Sequence, residues 1–199
     1  IVNTKGKKER RDTELKEGDQ LMISYKRNIE EKNISEIFLP EIFKERDNVM
    51  LRNVKDYLSQ FEKINRYQNF CFRDSFPIKL VKEILERNGK KLQDLPSIAK
   101  IAAKRDNVNL PISINLDKEL LEVIGLYIAE GHCRKNDSKK GLYQISISGK
   151  EVKEFVKKVF LSHFELRPTH ERDEAITFSS KIIYELFISY LECGKGAHN

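Results

Sequence analysis

The sequence predicts an α+β fold. Three observations carry that prediction: apolar residues at helical spacing over 120–131, apolar–polar alternation over 142–149, and two further amphipathic helical patterns at 151–163 and 182–193 separated by strand-like runs. In order from Asp117 the elements read helix, strand, strand, helix, strand, strand, helix. That is one αββαββα unit occupying residues 117–199. A small mixed α/β region precedes it at 28–116, and residues 1–27 stand apart from both.

Residues 13–23 read as a turn entering a strand. In the next region, 48–64 predicts a helix with Val49, Val54, Leu58 and Phe61 on one side. Ser75-Phe76-Pro77 opens a second helix, with proline at its first turn, that runs to Asn88-Gly89. Residues 95–114 read as two strands turning at Asp106-Asn107, because Pro111 and the Ile112-Ser113-Ile114 alternation disfavour a helix. Arg66, Arg73, Lys90, Lys91, Lys100, Lys104 and Arg105 make 28–116 basic, with Tyr67, Phe70, Phe72 and Phe76 between them. A DNA-contacting linker region and a small packing domain with a solvated basic face both fit that composition.

The helix at 120–131 is the most informative stretch. Leu120, Ile124 and Ile128 form one row; Leu121, Gly125 and Ala129 form a second, which narrows to small residues. Glycine inside a helix costs ~1 kcal/mol relative to alanine, so Gly125 calls for a packing reason. A small-residue row admits a second helix closer than the usual ~8–10 Å between axes. Glu130 follows in the last turn, where the helix dipole disfavours an anion and a bound cation would compensate.

After Gly131, residues 132–135 read as a strand and 136–141 as a polar turn. Over 142–149, Ile145 and Ile147 point one way and Gln144, Ser146 and Ser148 the other. Residues 151–163 predict a helix with Val152, Phe155, Val156, Val159 and Phe160 inward. Residues 164–171 and 174–179 read as two strands around Arg172-Asp173. The last helix, 182–193, turns Ile183, Leu186, Phe187, Tyr190 and Leu191 inward and stops at Gly194.

Val123 to Gly131 resembles the LAGLIDADG motif of homing endonucleases, in the Gly-Leu-Tyr-Ile-Ala-Glu-Gly version common in archaeal inteins, and the αββαββα order resembles one repeat of that family. The resemblance implies a site-specific endonuclease of double-stranded DNA that hydrolyses phosphodiesters with Mg²⁺. It implies that two such helices pack through Leu121, Gly125 and Ala129, that Glu130 is a catalytic metal-binding acid joined by the Gly131 carbonyl, and that Lys181 sits by the scissile phosphate. The four strands would lie in a DNA groove, where a β ribbon reaches base edges. Arg134, Lys135, Tyr143, Gln144, Ser146, Ser148, Arg167, Thr169 and His170 are then the candidate DNA contacts.

Glu14-Leu15-Lys16-Glu17-Gly18-Asp19 resembles a segment of the intein splicing (Hint) domain. Ile1 stands where that domain has its nucleophilic Cys or Ser, and no Thr-x-x-His block is present, so splicing chemistry does not carry over. His198-Asn199 follows a helix directly, through Gly194-Lys195-Gly196-Ala197, and resembles the connector after a first endonuclease repeat rather than a splicing terminus. The chain thus reads as a slice of an intein. Only one acid–glycine helix is evident: Glu192-Cys193-Gly194 has its acid one position too early. Three readings follow. The chain is the front half of a two-repeat enzyme, a homodimer giving one Glu130 per copy, or a non-cleaving DNA-binding module of the same fold.

The composition agrees with a polyanion partner: the net charge is +6 and 34% of residues are charged, with a pI of 9.1. Cys71, Cys133 and Cys193 are far apart and include no C-x-x-C pair, which points to a reducing cytoplasm and away from a zinc site or disulfide scaffold. No apolar run reaches the ~18 residues of a membrane span.

Overall fold

The computed structural model describes residues 2–3, 6–7, 34–136 and 142–194. The chain divides into two compact units, Ile1–Asn33 and Ile34–Asn199. Of the first, β1 (Val2–Asn3) pairs antiparallel with β2 (Gly6–Lys7). The splicing-like segment expected at 13–23, most of the polar turn at 136–141 and the terminal 195–199 lie outside the described residues.

The second unit is mixed α and β with antiparallel sheets, as the patterning predicts. Its front part runs β3 (Glu36–Phe38), α1 (Leu39–Phe43), β4 (Val49–Arg52), α2 (Lys55–Leu58), α3 (Gln68–Cys71), β5 (Ser75–Pro77), α4 (Ile78–Arg87), β6 (Lys100–Ala103), β7 (Leu110–Pro111) and β8 (Ser113–Asn115). Strands β5-β4-β6-β7 form one antiparallel sheet and β3 pairs with β8. The strands expected between 95 and 114 are present, and α4 ends as expected, with Gly89 at φ +67 closing it.

The helix expected over 48–64 does not form as one element: residues 49–52 are strand and Lys55–Leu58 are α-helical. Val49, Met50 and Leu51 are all buried in the central strand β4, which is paired on both sides. A short continuous apolar run does not by itself distinguish a buried strand from a helix. The chain then turns at Asn53, φ +57, and α2 begins where the Asp74 carboxylate accepts the Val54 and Lys55 N–H groups at 3.0 and 2.9 Å.

From Asp117 the order is α5 (Lys118–Glu130), β9 (Gly131–Asn136), β10 (Leu142–Ser148), α6 (Lys153–Phe164), β11 (His170–Glu171), β12 (Ala175–Ser179) and α7 (Lys181–Glu185). This is the αββαββα succession. The strands form one antiparallel sheet in the order β11-β12-β10-β9. Ile145, Ile147, Ile176 and Phe178 are buried on the face covered by helices, and Phe160 of α6 stacks on Phe178 at 3.7 Å between ring centroids. One hydrophobic core runs from Ile37 to Phe187, so residues on both sides of position 116 share it.

Two further details depart from the sequence pattern. Residues 165–169 are not strand: α6 runs through Phe164, Glu165 closes it at φ +52, and β11 has two residues. Beyond α7 the helix widens to a π turn at Leu186–Tyr190, which rotates Tyr190 outward to 49% exposure.

Candidate functional site

α5 is held at both ends. Asp117 caps its start: its carboxylate accepts the Leu120 N–H at 2.9 Å and meets His163 Nε2 at 2.9 Å. The Leu120 N–H and then His163 hold the Asp117 carboxyl below the ordinary range. One face of the helix buries Leu120, Val123 and Tyr127. Tyr127 packs edge-on against Phe187 and donates its hydroxyl to the Gly194 carbonyl at 3.2 Å; burial raises its pKa.

The other face is open. Leu121 and Ile128 are 53% and 56% exposed, Gly125 and Ala129 are exposed, and a Cβ at Gly125 would meet nothing within 4 Å. Among the described residues, therefore, nothing in this chain covers the Leu121-Gly125-Ala129 row. Gly131 is the opposite case: it is buried, and a Cβ there would lie 2.3 Å from the Tyr127 carbonyl oxygen and 2.5 Å from its Cδ2. Only glycine lets the chain leave α5 and enter β9 without a break, and that tight exit puts the exposed Glu130 carboxylate at the corner between helix and sheet. The last turn of α5 holds no basic residue to offset it.

The sheet face away from the helices is polar. Directly paired residues share a face, so register sets two rows across the strands. One row is Arg134, Gln144 and Ser179; the other is His132, Ser146, Thr177 and His170. Gln144 Nε2 donates to Ser179 Oγ at 3.0 Å, and the Ser146 and Thr177 hydroxyls are 2.7 Å apart. Of the residues expected to face DNA, Arg134, Gln144, Ser148 and His170 lie on this face, and Arg167 is exposed in the connection before β11.

Other expectations for this face need correction. Ser146 is on it but only 6% exposed, its hydroxyl already spent on Thr177. The Thr169 hydroxyl accepts the Ser179 N–H at 3.0 Å, which ties it into the sheet edge. Lys135 and Tyr143 pair with each other one residue out of phase, so they belong to the helix-covered face. Tyr143 packs on Tyr184 there, with the Lys135 and Lys181 ammonium groups 6.0 and 5.0 Å from its ring centre. His132, Thr177 and Ser179 complete the polar rows and were not among the expected residues; the alternation with Arg134 and across the second hairpin is the signal that places them.

Lys181 does not join Glu130. Gly131, next to Glu130, pairs with Ile147, which pairs with Ile176; Lys181 follows Ile176 by five residues along the strand direction. At ~3.4 Å per residue it stands roughly 17 Å further along, at the opposite end of the sheet. There it opens α7 and approaches Glu185 at 3.8 Å. The structure thus gathers Glu130, Gly131 and the small-residue row of α5 at one end and separates Lys181 from them.

No family model matches the chain. It is 32% identical over 200 residues to the DNA polymerase II large subunit of Thermococcus kodakarensis, a match covering 96% of this chain and 11% of that subunit. It is 26% identical over 211 residues to an uncharacterized protein of Methanocaldococcus jannaschii, covering 94% of this chain and 22% of that protein. The chain is thus similar nearly end to end to one segment of each relative, and it spans about a tenth of the first and about a fifth of the second.

Proposed function

We propose that residues 117–199 are one repeat of a LAGLIDADG homing endonuclease carried by an intein, which cleaves double-stranded DNA by Mg²⁺-dependent hydrolysis. The observation that carries this reading is the outward flank of α5. An apolar and small-residue row, an exposed terminal carboxylate and a glycine that admits no side chain stand together beside an open polar sheet face. A solvated helix has no need of that combination; a helix that pairs with another does. The two relatives support the intein part of the reading. The likeness occupies a minor segment of two differently named proteins, which is what a movable insertion produces.

Among the described residues no group of three or more His, Cys, Asp and Glu side chains converges. This chain contributes one carboxylate, with the Gly131 carbonyl beside it. Mg²⁺ takes oxygen donors and keeps several waters, so one such acid from each of two helices meets its needs. When bound, the ion supplies an activated water and neutralises charge on the phosphate. Glu130 holds its share of that site, and Gly131 fixes where Glu130 stands. Gly125 and Ala129 allow the second helix to approach. Arg134, Gln144 and His170 face the groove, where Arg and Gln can each make a bidentate base contact. Lys181 leaves the catalytic set because of its distance.

The test joins light scattering to a cleavage assay on duplex DNA that encodes a DNA polymerase II large subunit without the segment similar to this chain. Alone, the chain binds this duplex with an affinity that falls steeply between about 50 and 200 mM salt. Cutting requires pairing of α5 with a second such helix, and Glu130→Gln abolishes cutting while leaving binding intact. A self-paired dimer that cuts a near-palindromic site would favour the homodimer. Binding without any cutting once the helix is paired would favour the non-cleaving module. A specific cut by a monomer, or a flat salt dependence, overturns the proposal.

A further inference from the structure

A second candidate surface lies in the front part of the unit. An open cleft of about 1140 Å³ is bounded by the β4 end, α3 with the turn after it, and the loop from Lys104 to Asn109. Its volume exceeds that of ordinary small-molecule pockets, and its open form suits a polymer laid across it.

Phe72, at the end of α3, is 88% exposed, the most exposed large apolar side chain among the described residues. The same cleft is lined by Arg73, Lys104 and Arg105, and among the described residues none of the three has an ion pair or side-chain hydrogen bond. The carboxylates in the wall are occupied. Asp74 accepts the Val54 and Lys55 N–H groups, and Asp106 accepts the Val108 N–H at 3.0 Å. Arg52 is occupied too: it donates to the Asp106 carbonyl at 2.6 Å and to the Asn109 side chain.

The backbone is held against its preference at the same place. Of the five non-glycine residues with positive φ among the described residues, three line the cleft: Asn53 at +57, Asp74 at +40 and Arg105 at +69. Such conformations cluster where a side chain must be aimed. At Asp74 and Arg105 they fix the turns that carry Phe72-Arg73 and Lys104-Arg105.

We infer that this cleft is a second nucleic-acid site, which takes an unstacked strand of DNA with a base on the Phe72 ring and phosphates on Arg73, Lys104 and Arg105. In an intact duplex the base faces are already stacked, so the exposed ring meets a base without an unstacking cost only on a free strand. The inference needs neither Glu130, nor a metal, nor a second helix, and so stands or falls apart from the endonuclease reading.

Fluorescence anisotropy of the whole chain with a fluorescein-labelled oligothymidylate of about 16 nucleotides tests it. Wild type binds this strand. Phe72→Ala weakens binding about tenfold, the effect of losing one stacked base, without changing the salt slope. Phe72→Trp retains the affinity. Arg73→Ala with Arg105→Ala lowers the salt slope by about 1.4, since each phosphate contact on a single strand contributes ~0.7. Glu130→Gln leaves all of this unchanged. The urea midpoint of each variant stays at the wild-type value, because these side chains are not in the core. No binding of the oligothymidylate by wild type, or equal binding by wild type and Phe72→Ala, overturns the inference. So does a blunt duplex that competes equally well for both proteins.

Discussion

Residues 34–116 and 117–194 share one core but are built on different scales. In the second region α5 has 13 residues, α6 has 12 and β10 has seven. In the first, only α4, with ten residues, is longer than five, and no strand exceeds four. Long elements hold themselves by neighbouring turns and a matching sheet. Short ones depend on side chains that reach across the sequence, such as Asp74 capping α2 and Arg52 bracing a loop more than fifty residues away. The two regions therefore present different surfaces: a regular polar sheet face beside a bare helix flank in one, an irregular basic cleft on strained turns in the other.

The largest expected effect tests whether the regions are energetically one. Phe160→Ala removes a ring stacked on Phe178 in the second region and should cost about 3–5 kcal/mol. Leu51→Ala, in the first, should cost about 2–5 kcal/mol. Urea melts followed by circular dichroism should show a single transition for each, shifted down. Two separate transitions would break the comparison into two domains.

Next in size is a pair of glycines six residues apart. Gly131→Ala drives a Cβ into the Tyr127 backbone and should destabilise by about 3 kcal/mol. Gly125→Ala meets nothing and should stabilise the isolated chain by about 1 kcal/mol through helix propensity. If the bare flank is a helix seam, that same alanine weakens pairing when a second helix is present. Opposite signs in thermal melts confirm the contrast between the two positions; equal signs remove it.

The smallest effect is a pH dependence at the start of α5. Asp117 has a lowered folded pKa, so its contribution is complete above the ordinary carboxylate pKa of ~3.9 and is lost as pH falls through the folded value. Asp117→Asn keeps a capping oxygen but no titrating group. Its urea midpoint should decline less than that of wild type on acidification below about pH 4.

Long periods are legible in the sequence, and short ones are not. The α5 pattern, the Ile145/Ile147 alternation and the helix–strand succession after Asp117 all repeat often enough to name their period. Within 48–64 the apolar run Val49–Leu51 is too short to name a period, and the pairing of β4 on both edges makes 49–52 a strand. Within the candidate interface, Tyr143 has the parity of Ile145 and Ile147, which the alternation alone gives, whereas pairing with Tyr143 is what puts Lys135 on that same face. The family resemblance implies that Lys181 sits by the scissile phosphate. The antiparallel return of β12 carries it to the far end of the sheet.

Local chemistry therefore dictates where α5 begins and ends, that its terminal acid is unsupported by any nearby cation, and which residues of β10 alternate. Those properties depend on neighbours within a turn or a strand. Which rows of the sheet face outward, how far Lys181 lies from Glu130, and that Phe72 shares a cleft with Arg105 depend on pairing between distant segments. A shift of one residue in register would reverse every face, and such a shift leaves the amino-acid order untouched.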